Sequence, residues 1–215
     1  MASVSTNFDK EEHYERVAKK CIEDGHKVPT YGFLFLLEIS EVSRTLSHEL
    51  VRQEQGFYKV QASQRYIKMN EFSYTTPIDV KEMSVPVRVH GLTVDMYYQD
   101  IHSIIEQYYD GCLQSGIKPE IARYVLTNAT HTKLHVAANL EALMRFGNMR
   151  CCSLAQPEMQ ELAWEIKYAI AEVNPYLGSL IVPMCEKLGY CVDSRSCKKA
   201  ISKEEAFKIL NATRN

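Results

Sequence analysis

The sequence has almost no net charge. Lys and Arg total 25 against 27 Asp and Glu, a formal charge of -2 over 215 residues. With a pI near 6.4 it lacks the basic surplus of a general nucleic-acid binder. Any anion site must therefore be a local cluster of cations. No apolar run approaches bilayer-spanning length. The polar N-terminus has no apolar stretch of the secretory-signal kind. Seven cysteines without such a signal predict reduced thiols and a cytoplasmic protein. The histidines offer no metal pair. His131 and His135 are four apart but fall in a segment that reads as strand, which predicts opposed or distant positions. Asn128-Ala129-Thr130 and Asn211-Ala212-Thr213 match a glycosylation acceptor by chance if there is no secretion. No repeat or low-complexity tract is present. What is present suits one globular domain, 46% hydrophobic and 24% charged.

Residues 1 to 10 read as a loose arm. Tyr14, Val17, Ala18, Cys21 and Ile22 then recur at helical spacing, and Gly25 can end that helix. Phe33 to Ile39 is a continuous apolar run that predicts a buried strand. Ser40 can cap a helix with Val42, Leu46 and Leu50 inward. Residues 67 to 92 read as loop, with a short strand at Val85 to Val89. Thr93 can cap a long helix with Met96, Tyr97, Ile101, Ile104, Ile105 and Tyr108 inward, ended by Gly116. Pro119 opens a helix that carries Arg123. Thr130 to Ala137 reads as a strand with Thr132, Leu134 and Val136 toward the core. Met159, Leu162, Ala163, Ile166 and Ile170 mark another helix, begun by Pro157. Ser202 and Glu205 have capping-box spacing before the last one.

The segment Gln61-Ala62-Ser63-Gln64-Arg65-Tyr66 carries the chemistry. If it is extended, Gln61, Ser63 and Arg65 share one face. An amide, a hydroxyl and a guanidinium there would seat a phosphate ester. A polar strand face in water has the same composition, so these residues alone leave both readings open.

Several stretches together resemble the flavin-dependent thymidylate synthases. Gln61, Ser63, Arg65 and Tyr66 are in register with the second half of that family's motif. Its first half, Arg-His-Arg, is replaced by Gln53-Glu54-Gln55, or by Arg52-Gln53-Glu54 with one inserted residue. Gly25, His26 and Val42-Ser43-Arg44 fit, while Tyr31-Gly32 replaces a Glu-His pair. Gly116-Ile117-Lys118-Pro119-Glu120-Ile121-Ala122-Arg123 fits with Ile121 for Asp. Asn139, Leu143, Phe146, Arg150, Ala155, Gln156 and Glu158 fit as well. Glu141, Leu154 and Pro157 depart from the pattern. The likeness covers about residues 14 to 197.

The resemblance implies an α+β fold, a twisted mixed sheet flanked by helices in a single domain, assembled as a homotetramer. It implies C5 methylation of dUMP, with methylenetetrahydrofolate and NADPH as co-substrates and FAD as cofactor. Position matching assigns the nucleotide to Gln61, Ser63, Arg65, Arg123 and Arg150, with Arg150 and Ser63 in catalytic roles. It assigns the flavin to Arg52, Gln53, Glu54, Lys133, Asn139 and Arg145. A glutamate beside a diphosphate would repel it by about 4 kcal/mol at 4 Å and an effective dielectric of about 20. Arginines at 54 and 141 are therefore expected to raise FAD affinity. Two alternatives follow from the altered motif: a nucleotide-binding homologue without flavin chemistry, or C5 hydroxymethylation of another pyrimidine nucleotide. Cys151 or Cys152, beside the cation Arg150, could supply a thiolate for C6, although adjacent cysteines on a helix are commonly buried spacers. Cys185, Cys191 and Cys197 read as structural or incidental thiols, since a zinc site would want a fourth ligand and shorter spacing.

Overall fold

A computed structural model describes residues 11–65 and 73–212; the expected N-terminal arm and Tyr66 lie outside them. The chain opens with α1 (Glu11–Glu23) and a short α2 (Val28–Gly32). The strand β1 (Leu34–Ser43) leads into α3 (Arg44–Leu50) and β2 (Phe57–Gln61). A hairpin of β3 (Ser84–Val89) and β4 (Leu92–Tyr97) precedes the long α4 (Tyr98–Gln114). After α5 (Pro119–Ala122) and a 3-10 turn at Arg123–Val125 comes β5 (His131–Asn139). The rest is helical: α6 (Leu140–Arg150), α7 (Pro157–Val173), α8 (Pro175–Ser179), α9 (Met184–Leu188) and α10 (Lys203–Ala212). The strand orders are β1-β5-β2 and β3-β4, the hairpin being antiparallel. This is the expected α+β class.

The described residues group into two compact units. One comprises the chain up to Leu36, Gln55–Tyr58, and everything from Ala137 on; the other comprises Leu37–Glu54 and Lys59–Val136.

The core of the first unit is built by α6 and α7. Leu140, Leu143, Phe146, Met159, Ala163, Ile166 and Ile170 are buried, in the helical period that the sequence shows for α7. Fully burying each large side chain stabilises by about 1.5–3 kcal/mol. Close approach depends on small residues. A Cβ on Gly178 would come within 2.5 Å of the Ala171 Cβ, and one on Gly147 within 2.6 Å of the Ile181 side chain. Asn139 caps α6 by accepting from the Ala142 N–H at 2.9 Å. Gln156 does the same for α7 through the Met159 N–H at 2.7 Å. Ser202 and Glu205 form the predicted reciprocal cap on α10.

The second unit packs Ile39, Val42, Leu46 and Leu50 with Leu134, Val136 and Tyr109 as its buried apolar residues. Four sequence expectations change here. First, β1 is not buried on both faces. Leu34 and Leu36 are 75% and 87% exposed, and the alternation breaks at Glu41, which takes a left-handed φ of 57°. An extra residue of this kind bulges a strand and lets both Val42 and Ser43 turn inward. Second, the strand therefore outruns Ser40, and Ser43 caps α3, accepting from the Leu46 N–H at 3.0 Å. Third, residues 92–97 are strand rather than helix. His90 and Gly91, at φ 49° and 87°, make the tight turn that a hairpin needs. The helix then starts at Tyr98, and Asp100 accepts from the Tyr97 N–H at 2.8 Å. Fourth, α4 buries His102 and Tyr109, whereas Ile101, Ile104 and Tyr108 are exposed. The inner stripe is anchored by His102, stacked on Tyr74 at 3.9 Å, with its Nε2 3.1 Å from Thr127 Oγ1. No helix among the described residues is long and apolar enough to cross a membrane.

Candidate active site

In the second unit, Arg44 lies near Arg123, and Arg123 and Arg65 both bond to Glu120, one at its carbonyl and one at its carboxylate. The strand β2 ends at Gln61, whose Nε2 donates to Ser47 Oγ at 2.8 Å and to Thr132 Oγ1 at 3.2 Å. Thr132 Oγ1 also receives Arg44 Nη1 at 3.4 Å. Arg44 is the first residue of α3, so the bulge that re-aims β1 also aims this arginine. Burial, and then the neighbouring charge of Arg123, hold the Arg44 pKa below its ordinary value. Arg123 Nε donates to the Glu120 carbonyl at 3.2 Å. The Glu120 carboxylate pairs instead with Arg65 Nη2 at 3.3 Å. That pair is solvent-exposed and contributes about 0–1 kcal/mol.

Ser63 is not on an extended face with Gln61 and Arg65. The chain turns after β2, and Ser63 Oγ accepts the Arg65 N–H at 3.3 Å. A short hydroxyl side chain readily takes a backbone N–H that no strand partner claims. Sequence reading missed Arg44 as a member of the cluster. Its signal was the Val42-Ser43-Arg44 match, noted only as a fold marker.

The loop that stands where Arg-His-Arg is expected has its own cation. Lys59 Nζ donates to the Gln53 carbonyl, and to that of Val51 at 3.1 Å. Burial lowers the Lys59 pKa, and Glu54, an exposed neighbour, opposes the shift. Arg52 is exposed on the turn after α3. Lys133, exposed on β5, lies 2.6 Å from Glu38 Oε1 and holds that carboxyl below the usual carboxylate range.

In the first unit, Arg145 clamps the backbone of Gln55. Its Nη2 donates to the Gln55 carbonyl at 2.7 Å and its Nη1 to the Gln55 side-chain oxygen. Both acceptors are neutral. Its Nε is buried with no hydrogen-bond partner among the described residues. Gly56, at φ 77°, leaves no room for a Cβ against Ala142 and Asn139, and its carbonyl accepts the Asn139 N–H at 3.2 Å. Asn139 and Arg145 thus seat residues 55 and 56 on the start of α6.

Glu141 does not present a bare carboxylate. It is 8% exposed, with Lys27 Nζ 3.4 Å from its Oε1 and Thr30 Oγ1 3.4 Å from its Oε2. Lys27 therefore offsets the expected repulsion from this residue, a pairing that sequence spacing of over a hundred residues hides.

Arg150 closes α6 and lines a cavity of about 340 Å³ in the same unit, with Asn148 and Leu154. Asn148 Oδ1 is buried and meets no donor among the described residues. A buried acceptor left unpaired costs about 1–3 kcal/mol, so it marks a place where a ligand donor would fit. Sequence reading missed Asn148 as well. Cys151 is not a thiolate: burial pushes its pKa up to about 11, against the smaller lowering effect of Lys167. The charge of Arg150 does not depress it as expected.

Of the two expected arrangements for the histidines, opposed or distant, the strand gives the distant one. His131 and His135 share the face of β5 that alternates with buried Thr132, Leu134 and Val136, about 13 Å apart at strand rise. Among the described residues no group of three or more His, Cys, Asp or Glu could hold a metal ion.

Comparison with known proteins converges on one family. Residues 2–176 match the family model described as thymidylate synthase complementing protein. The flavin-dependent thymidylate synthase of Clostridium tetani is 32% identical over 209 residues, 92% of this chain and 82% of its own. That of Nitratidesulfovibrio vulgaris is 35% identical over 173 residues, covering 79% and 69%. That of Thermococcus onnurineus is 32% identical over 194 residues, covering 84% and 76%.

Proposed function

This chain belongs to the thymidylate synthase complementing protein family, and from that premise we propose that it methylates C5 of dUMP as a flavin-dependent thymidylate synthase. The observation that carries the nucleotide assignment is the proximity of Arg44 to Arg123, with Arg123 and Arg65 both bonded to Glu120. A phosphate dianion is the ligand that such a surplus fits, with Gln61 as a neutral donor beside it. Ser63 supports that end as a turn-forming hydroxyl. The base is assigned to Arg150 and Asn148. A guanidinium can hold a ring carbonyl and draw electron density from the pyrimidine, which makes its C5–C6 bond more reactive. The unpaired Asn148 acceptor suits the ring N3–H of uracil, and cytosine has no proton there.

Arg145, whose two hydrogen-bond acceptors are neutral, fits the diphosphate of FAD, and Arg52, Gln53, Glu54, Lys133 and Asn139 are the other residues assigned to it. FAD when bound supplies the hydride, with methylenetetrahydrofolate as carbon donor and NADPH as reductant. Assembly as a homotetramer in the cytoplasm is part of the proposal. The exposed Ile101, Ile104 and Tyr108 on α4 support assembly, since a second apolar stripe opposite the buried one calls for a covering partner.

The altered loop, with Gln53 and Glu54 in place of cations, favours the second reading, a nucleotide-binding homologue without flavin. Visible absorption of the purified protein separates the two. Flavin bands at one FAD per chain support the enzyme. A colourless protein that takes up no added FAD yet binds dUMP would leave only the second reading.

A further inference from the structure

Arg150 shares its cavity with sulfur. Cys152, Cys185, Cys191 and Cys197 all line the same space of about 340 Å³. A second cavity of about 390 Å³ is lined by Cys152, Cys185 and Cys197 again, together with Cys151. All are free thiols. Four cysteines around one cavity suit either a metal or thiol–disulfide chemistry. The described residues hold no group arranged for a metal ion, which leaves the second.

The thiols differ in character. Cys191 is engaged with the Asp193 carbonyl at 3.6 Å. Cys185 is pushed up, first by burial and then by Cys152. Cys197 is held low, first by a side-chain hydrogen bond from Ser153 and then by the backbone of Lys199. It is therefore the better nucleophile at neutral pH. The Ser153 bond also sets the Cys197 sulfur beside the chain neighbour of Cys152. Cys197 lies between the Cys191–Ser202 bridge residues in a run with no helix or strand. Cys152 and Cys197 each line both cavities, and a disulfide between them needs a Cα separation of about 4.4–6.8 Å.

We propose that Cys197 and Cys152 form a peroxide-sensitive dithiol on the wall of this cavity. The Cys197 thiolate attacks one peroxide oxygen, the O–O bond breaks, and water leaves after protonation. The sulfenic acid at Cys197 is then attacked by the Cys152 sulfur. The S–O bond breaks, a second water leaves, and an S–S bond forms. Two thiols are oxidised and one peroxide is reduced to two waters; a dithiol reductant reverses the step. The closed bond ties the run that carries Cys197 to the end of α6, two residues from Arg150. An effect of oxidation on nucleotide binding rests on the proposed role of Arg150, whereas the bond itself does not.

The test treats the reduced full-length protein with a small molar excess of hydrogen peroxide. Thiols are then titrated in denaturant, and proteolytic peptides are mapped by mass spectrometry. The expected result is a loss of two thiols per chain and one crosslink from Cys197 to Cys152. In Cys152→Ser, dimedone should instead trap sulfenic acid at Cys197, and in Cys191→Ser the crosslink should still form. Seven thiols remaining after treatment, a crosslink to Cys185 or any other partner, or zinc released in proportion to oxidised protein would each overturn the proposal.

Discussion

Replacing Arg44 by alanine should weaken nucleotide binding without weakening the fold. Arg44 is partly buried and sits beside the like charge of Arg123. Its hydrogen bond to Thr132 is long, at 3.4 Å. In the free protein it thus stabilises little and is opposed by its neighbour. With a phosphate present, the same two charges become the attraction. A charge-assisted hydrogen bond contributes about 1.5–3 kcal/mol, so Arg44→Ala should raise the dUMP Kd about 10- to 150-fold. Arg123→Ala should do the same. The double variant should lose less than the sum, because the two groups share one ligand. Melting without nucleotide should be unchanged or slightly higher in Arg44→Ala, because a repulsion has been removed. Titration calorimetry with dUMP, beside thermal denaturation of the free protein, reads both quantities. A Kd within twofold of the wild type in both single variants would refute the phosphate assignment. A large fall in melting temperature with unchanged affinity would make Arg44 a structural residue.

Other consequences concern stability and the base. Glu141→Arg should destabilise by about 1–3 kcal/mol, because it sets a second cation against Lys27 and loses the Thr30 contact; an unchanged urea midpoint would contradict this, and the variant is not expected to gain FAD affinity. Cys151 holds a proton in the folded state that the unfolded chain releases at lower pH. Its contribution is complete below about pH 8.5, the ordinary thiol pKa, and is lost as pH rises through about 11. The loss should be of order 1–3 kcal/mol in denaturant titrations, and Cys151→Ala should flatten that alkaline slope. Gly178→Ala drives a methyl to within 2.5 Å of Ala171 and should lower the melting temperature clearly, read by calorimetry. Asn148→Leu should weaken dUMP binding by about 1–3 kcal/mol, with the reduced calorimetric affinity as readout and wild-type affinity as the contrary result.

Much of the helical framework was legible because it follows local rules. The α7 stripe from Met159 to Ile170, the Pro157 start and the Ser202 cap each depend on residues within a few positions. The failures share a different cause. The bulge at Glu41 moved the α3 cap from Ser40 to Ser43, and no local preference announces a left-handed glutamate. Two apolar stripes on α4 were indistinguishable by period, and His102 settled which one is buried. At the site, the partners of the candidate residues were not legible. Glu141 reads as a lost arginine until Lys27 and Thr30 are seen beside it. Ser63 reads as a strand residue until its hydroxyl takes the Arg65 N–H. Arg44 reads as a helix start until Thr132 and Arg123 are brought to it. Charge compensation across distant segments is a tertiary property.

The most direct test of the account is product analysis. Protein is incubated with dUMP, methylenetetrahydrofolate and NADPH, with and without added FAD, and the nucleotides are separated by chromatography. The account predicts dTMP, formed in proportion to bound flavin and absent when flavin has been removed. Bound dUMP returned unchanged from a flavin-loaded protein, or dTMP made equally well without flavin, would contradict it.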